Sequence, residues 1–306
     1  MIHILLATYQ SDKYLSRQLD SILNQSKVDS KIHIYDDGST DDTLKIIDSY
    51  SKQNSNIFTY SNAYSFKTPG LSFLYILSKI EYVDTDLFAF SDHDDIWNQE
   101  KLYRASKMLD KNSANLYSCP VEASWPSGKK RILYQSDKTR DYDCLFEAAG
   151  QGCSYVFDSL IADGLLKASK FINQKGFTVK SHDWVTYIVC RAYNLKWFFD
   201  KDFVGLEYIQ HCNNDLGAKG TWTSYIGRLK LIFSGWYKSQ IIMYACIYKK
   251  LSVNKKSNKC LQRYVNNFDM PYIQKVLFNI SFVYRFGRRL FIHRLYLIVF
   301  TIFNRI

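Results

Sequence analysis

The feature that most constrains this chain is an alternation, over its first third, of short apolar runs with segments of helical periodicity, with aspartates closing two of the runs. Ile2–Ala7 is apolar apart from His3 and reads as a buried parallel strand. Tyr14–Asn24 places Leu15, Leu19, Ile22 and Leu23 at helical spacing. Ile32–Tyr35 predicts the next strand, and Asp41–Tyr50 predicts a helix whose acidic start suits the helix dipole. Ile57–Tyr60 predicts a strand, Leu71–Ile80 a helix and Leu87–Phe90 a further strand. Strands alternating with helices imply an α/β fold, a mainly parallel sheet with helices on both faces. Ligands of such sheets bind outside the carboxyl ends of the strands. Asp36-Asp37 and Asp92 through Asp95 fall at those ends. One aspartate there is ordinarily a turn former or helix cap, but two clusters at equivalent ends of one sheet point to a site.

Asp92-His93-Asp94-Asp95 is the strongest local signal. If the chain stays extended, Asp92 and Asp94 point the same way. Carboxylates so placed suit one hard divalent cation, Mg²⁺ or Mn²⁺, shared with phosphate oxygens. Such a cation makes a nucleoside diphosphate a competent leaving group by neutralising its growing charge. The bland alternative is a solvated acidic turn.

Taken together, Ala7-Thr8-Tyr9, Asp36-Asp37-Gly38-Ser39-Thr40-Asp41, Ser91-Asp92-His93-Asp94-Asp95-Ile96-Trp97 and Ser181-His182-Asp183-Trp184 resemble the family 2 glycosyltransferases, in their bacterial rhamnosyltransferase-like branch. The resemblance covers residues 1–217 and implies a GT-A-type catalytic domain there, with residues 218–306 as a helical, basic and aromatic membrane-associating appendage. His93 departs from the branch, which often has Gln at that position. The resemblance implies that Asp36 and Asp37 hydrogen-bond the base and ribose and that Thr8 lies beneath the nucleotide. It implies that Asp92 meets ribose or metal and that Asp94 holds metal and diphosphate. Asp183 matches the general base of an inverting transfer, which takes the proton from the attacking acceptor hydroxyl. His182, Trp184 and Gly152, in Gly150-Gln151-Gly152-Cys153, match the acceptor side. His211, in Tyr208-Ile209-Gln210-His211, matches a contact to diphosphate or metal.

Structural readings stand beside these. Gly38 through Asp41 also suits a turn followed by a helix cap. His182-Asp183-Trp184 also suits a helix start, Gly150–Cys153 a turn before a strand, and a lone histidine a structural role. The reaction implied is transfer of L-rhamnose from dTDP-rhamnose to a lipid-pyrophosphate-linked glycan of O-antigen or capsule type. A UDP-glucose or UDP-galactose transferase of the same pathway class is the alternative.

The net charge of +11 is concentrated late in the chain, where Lys and Arg dominate after Lys219. Basic proteins attract nucleic acid, anionic lipid or phosphorylated ligands. No nucleic-acid motif is present, and unscreened aspartate clusters would repel a phosphate backbone. A catalytically inactive glycan-binding relative is disfavoured by intact Asp92, Asp94 and Asp183. After Val276, arginines mix with Phe, Tyr, Leu and Ile, and on one continuous helix Arg285, Arg288 and Arg289 would share a face while Arg294 would not. That pattern, like Tyr225–Leu251 upstream, suits docking on an anionic membrane surface, with packing on the catalytic domain as the alternative. No signal peptide or spanning helix is expected. The seven cysteines form no C-x-x-C, which fits buried thiols in a reducing compartment. The expected location is therefore the cytoplasm, peripheral on the inner face of a bacterial cell membrane.

Overall fold

The computed structural model describes residues 1–61, 64–211, 233–253, 258–266, 270–288 and 290–302. The strands β1 (Ile2–Thr8), β2 (Ser30–Asp36), β3 (Ile57–Tyr60) and β4 (Leu87–Ser91) lie where the apolar runs place them. β1 pairs in parallel with β2 and β4, and β2 with β3. The period-two alternation of β1 serves two cores: Leu5 joins one, Ile4 and Leu6 the other. His3, the polar break in that run, is buried. Its Nδ1 meets His33 Nε2 at 2.9 Å and its Nε2 meets Asp86 at 3.3 Å.

The helices α1 (Leu15–Leu23), α2 (Thr43–Gln53) and α3 (Pro69–Leu77) connect these strands. α1 buries Leu15, Leu19 and Ile22, as its spacing predicts. α3 begins with proline in its first turn, where the missing N–H costs nothing.

The large sheet is mixed, not purely parallel. Its order is β10-β6-β9-β4-β1-β2-β3, with β6 spanning Leu116–Ser118, β9 Val156–Asp158 and β10 Trp197–Phe199. β9 runs antiparallel to both β4 and β6. A second sheet, absent from the sequence reading, has the order β5-β11-β7-β8: Ile96–Trp97, Leu206–Ile209, Val121–Ser124 and Lys130–Leu133. A turn at Ser127-Gly128 joins its β7–β8 hairpin, with Gly128 at φ 78°. The remaining helices are α4 (Lys101–Asn112), α5 (Ser159–Lys175), α6 (His182–Ala192), α7 (Trp236–Leu251), α8 (Asn258–Val265), α9 (Tyr272–Phe286) and α10 (Phe291–Ile302).

The expected boundary at 217/218 and the start of the Tyr225–Leu251 segment lie outside the described residues. The late helices share the core of the sheet. Tyr237, Ile241, Tyr244, Phe282, Val283 and Leu297 are buried in the same cluster as Phe73, Phe90, Phe157 and Trp184. The single arginine face is a correction. The helix ends at Phe286: Gly287 still donates to the Val283 carbonyl at 2.8 Å, but its ψ of −168° is extended. The chain therefore leaves the helix axis. Arg288 turns inward and donates to the Phe146 carbonyl at 3.0 Å and to the Tyr237 hydroxyl at 3.3 Å. Arg289 lies outside the described residues.

Among the described residues no helix is long and apolar enough to cross a membrane. Cys119, Cys144, Cys153 and Cys190 are buried unbridged thiols, Cys246 and Cys260 are half-buried, and Cys212 lies outside the described residues.

Candidate active site

The loops after β1 and β2 are laced to each other. Asp36 closes β2, and its carboxylate accepts from Thr8 Oγ1 at 2.9 Å, Gly38 N at 3.1 Å, Ser39 N at 2.7 Å and Ser39 Oγ at 2.6 Å. The tight return needs Gly38, whose φ is 93°. From the β1 side, Gln10 N donates to Ser39 Oγ at 2.8 Å and Ser11 N to Thr43 Oγ1 at 2.7 Å. Asp41 accepts from Asp12 N at 3.2 Å and Thr43 N at 3.1 Å, so the turn also starts α2. Asp37 is only 8% exposed. It accepts from Phe66 N at 2.6 Å, Lys67 N at 2.7 Å and Tyr35 Oη at 3.1 Å, which orders the segment before α3. Both carboxylates predicted to face the nucleotide are thus engaged by their own chain.

The acidic cluster after β4 behaves differently. The chain turns at His93–Asp94 and does not stay extended, so Asp92 and Asp94 diverge. Asp92 converges instead with Asp95 and Cys153, a ligand atom of each lying within 4.8 Å of the others. Asp94 Oδ2 sits 2.8 Å from His211 Nε2, and the His211 ring stacks on Tyr14 at 4.5 Å. His93 bonds the Ala7 backbone, tying this turn to β1, and burial lowers its pKa.

Asp95 is fully buried, and its carboxylate has the Cys153 thiol beside it but no other hydrogen-bond partner among the described residues. Burial, with Asp94 and Asp92 nearby, pushes its pKa well up. Lys101 is equally buried; its Nζ lies over the Trp97 ring, 3.1 Å from the centroid, without a hydrogen bond among the described residues, and feels the charge of Asp95 and Asp92. Burial brings the ammonium down to about 7. Lys101 escaped the sequence reading because one Lys among 40 basic residues carries no mark of burial.

These residues fit a hard divalent cation. Asp92 and Asp95 bring carboxylate oxygens within 4.8 Å of each other, with Asp94 in the same turn, and a cation there would relieve the burial and mutual repulsion that push the Asp95 pKa up. The Cys153 thiol, its pKa pushed well up by burial, stays protonated and is a poor ligand.

On the acceptor side, Gly152 is packed onto the start of α6. A Cβ there would stand 2.2 Å from His182 Nε2 and 3.0 Å from Asp183 Cβ. His182 sits between Phe73 and Phe90, at ring distances of 4.1 and 4.7 Å. Burial drives its imidazole down to about 3, so it is neutral. Asp183 is half-buried, accepts from Trp184 N at 2.8 Å, and has its pKa pushed up to about 6 by burial. Trp184 donates from Nε1 to the Cys144 carbonyl at 2.7 Å and packs on Tyr244, which makes it a brace for the segment before Gly152. Arg288 and Tyr237 hold the same segment through Phe146.

The predicted residues therefore form two linked groups. Gly152 touches the base candidate Asp183, and its neighbour Cys153 meets Asp92 and Asp95. Thr8, Asp36 and Asp37 form the second group at the ends of β1 and β2.

An acidic turn suited to a cation and an elevated carboxylate near one sheet edge suit metal-assisted group transfer. Residues 3–151 match the family described as Glycosyl transferase family 2. The chain is 35% identical over 240 residues to the dTDP-rhamnosyl transferase RfbG of Shigella flexneri, covering 77% of this chain and 82% of RfbG. The chain belongs to glycosyltransferase family 2, and within it is rhamnosyltransferase-like. Among solved structures, TarS residues 1–349 of S. aureus in complex with UDP match with a TM-score of 0.54 at 14% identity, over 92% of this chain and 78% of that one. A mannosyltransferase of Pyrobaculum calidifontis in complex with GDP-Man and Mn²⁺ matches with a TM-score of 0.52 at 11% identity, over 97% of this chain and 78% of that one. At those identities the likeness speaks for the fold, which is of the GT-A kind.

Proposed function

We propose that this glycosyltransferase moves L-rhamnose, with inversion, from dTDP-rhamnose onto a lipid-pyrophosphate-linked intermediate of a surface polysaccharide, O-antigen or capsule. The donor reading is supported by the likeness to RfbG. The chemical reading is carried by one observation: consecutive residues Gly152 and Cys153 join the base candidate to the acidic turn.

Asp92 and Asp95 would hold Mg²⁺ or Mn²⁺, with Asp94 of the same turn adding negative charge beside them, and the ion would neutralise charge on the departing diphosphate. Asp183 takes the proton of the acceptor hydroxyl. Its elevated pKa makes it a stronger base than an ordinary carboxylate, while it remains mostly ionised at neutral pH. His182, neutral and packed behind Gly152, sets the position of α6 and hence of Asp183. Thr8, Asp36 and Asp37 hold the loops that frame the nucleotide. His211 orients Asp94.

The acceptor reading places the enzyme on the inner face of the cell membrane. Two exposed apolar rows support this: Ile273, Leu277 and Tyr284 on α9, and Phe291, Leu295 and Val299 on α10, with exposed Arg285 beside them. Such rows suit interfacial docking.

A thermal-shift series with dTDP, UDP and GDP, with and without Mn²⁺, tests the donor. dTDP with metal should stabilise most, by about 3 kcal/mol at a hundredfold excess over Kd. Absence of any metal-dependent shift would remove the donor reading; a larger UDP shift would move the chain to the hexosyl alternative. Co-sedimentation with anionic vesicles tests the membrane reading, which fails if Leu277→Glu with Leu295→Glu leaves binding unchanged.

A further inference from the structure

β10 runs parallel to β6, and both run with β4, because β9 is antiparallel to β6 and to β4. Phe199, the last residue of β10, therefore ends at the same sheet edge as Ser91 and Thr8. A cavity of about 420 Å³ opens there, lined by Tyr134, Gln135, Asp137, Phe199, Lys201 and Asp202. None of these residues belongs to the donor site or the base.

The cavity is tied to the segment that carries Gly152. Gln135 Nε2 donates to the Ala148 carbonyl at 3.0 Å, and Ser118 Oγ to the Ala149 carbonyl at 2.8 Å. Trp197 Nε1 donates to the same Ser118 Oγ at 2.8 Å, which joins β10 to that segment. At the rim, Asp200 is held by Arg104 at 2.8 and 3.2 Å and by Tyr117 Oη at 3.2 Å, so the end of β10 is rigid.

We propose that this cavity is a saccharide subsite, holding a sugar ring of the acceptor at a distance from the attacked hydroxyl; the inference rests on the function proposed above. The volume lies within the range of about 300–1,000 Å³ typical of small-ligand sites. Tyr134, 63% exposed, offers a ring face to the C–H side of a pyranose. Asp137 and Asp202 offer planar acceptors to neighbouring hydroxyls, and Gln135 and Lys201 offer an amide and a donor. Two carboxylates against one ammonium repel phosphate, so the occupant is a neutral sugar and not the pyrophosphate or a nucleotide.

Saturation-transfer NMR on the full chain tests this, with methyl glycosides of L-rhamnose, D-galactose and N-acetyl-D-glucosamine as probes, in the presence of dTDP and Mg²⁺. At least one glycoside should bind saturably. Its Kd should rise about fivefold or more in Tyr134→Ala, the loss expected for an aromatic contact, and rise also in Asp202→Ala. Both side chains are exposed, so the fold survives either change. Binding should persist in Asp183→Asn. The subsite is overturned if no glycoside binds, if both cavity variants bind like the parent, or if dTDP displaces the sugar. The nucleotide's own signal is read in the same sample: its absence beside a bound glycoside removes the donor reading and leaves the sugar site standing.

Discussion

Asp36 and Asp37 close β2 with four and three hydrogen bonds from their own chain. Asp95, in the turn that closes β4, has both oxygens buried against a thiol, and Asp94 reaches across the fold to His211. The first loop is finished without a ligand: its carboxylates organise backbone, and folding itself meets their needs. The second is less complete: among the described residues the Asp95 oxygens have only the Cys153 thiol beside them, with buried Lys101 as the nearby cation, and such burial is costly. Two loops at equivalent ends of one sheet, alike in sequence, therefore differ in kind: one is satisfied by its own backbone, while the other keeps buried carboxyls that a cation would relieve.

Asp94→Asn is expected to bring the largest change, a fall in turnover of about 10³-fold, the scale of losing a preorganised electrostatic contact. Its melting temperature should stay near that of the parent. Residual turnover close to normal would place the charge receptor elsewhere in the turn.

Asp183→Asn should lower kcat by about 10²-fold and leave dTDP affinity unchanged, since the base belongs to neither acidic loop. In the parent, the rate should fall as pH drops through about 6, because the carboxylate must be ionised to accept a proton. A profile flat across that range would take the base role from Asp183.

Asp37→Ala should destabilise the protein by about 1–3 kcal/mol, the cost of stranding the Phe66 and Lys67 amides. Denaturant unfolding measures this, and an unchanged midpoint would contradict the scaffold role.

Asp95→Asn should have the smallest effect, changing metal-free stability by no more than about 1 kcal/mol, because burial and the neighbouring carboxylates already drive this carboxyl toward its neutral form. Mg²⁺ should then stabilise the variant less than the parent. If Asp95→Asn destabilises as Asp37→Ala does, the two loops are of one kind.

Much of the donor half is legible in the sequence. β1 to β4 print clear apolar runs, and the aspartates that end β2 and β4 fall at the binding edge. β5, β7, β8, β10 and β11 are two to four residues long, too short to display a period of two. The divergence of Asp92 and Asp94 is set from afar, since His211, 117 residues away, takes Asp94. The inward turn of Arg288 likewise depends on the Phe146 carbonyl, 142 residues distant, and no local pattern encodes it.

The reversed strand β9 also decides how the chain reaches the functional edge. In a purely parallel sheet, every loop at the functional edge follows a strand and leads into the next crossover. Because β9 runs backwards, the stretch before it, residues 146–154, arrives at that edge by leading into a strand. That stretch carries Gly152 to Asp183 and Cys153 to Asp92 and Asp95, so the bridge between the two carboxylate groups comes from chain that is entering a strand and not leaving one.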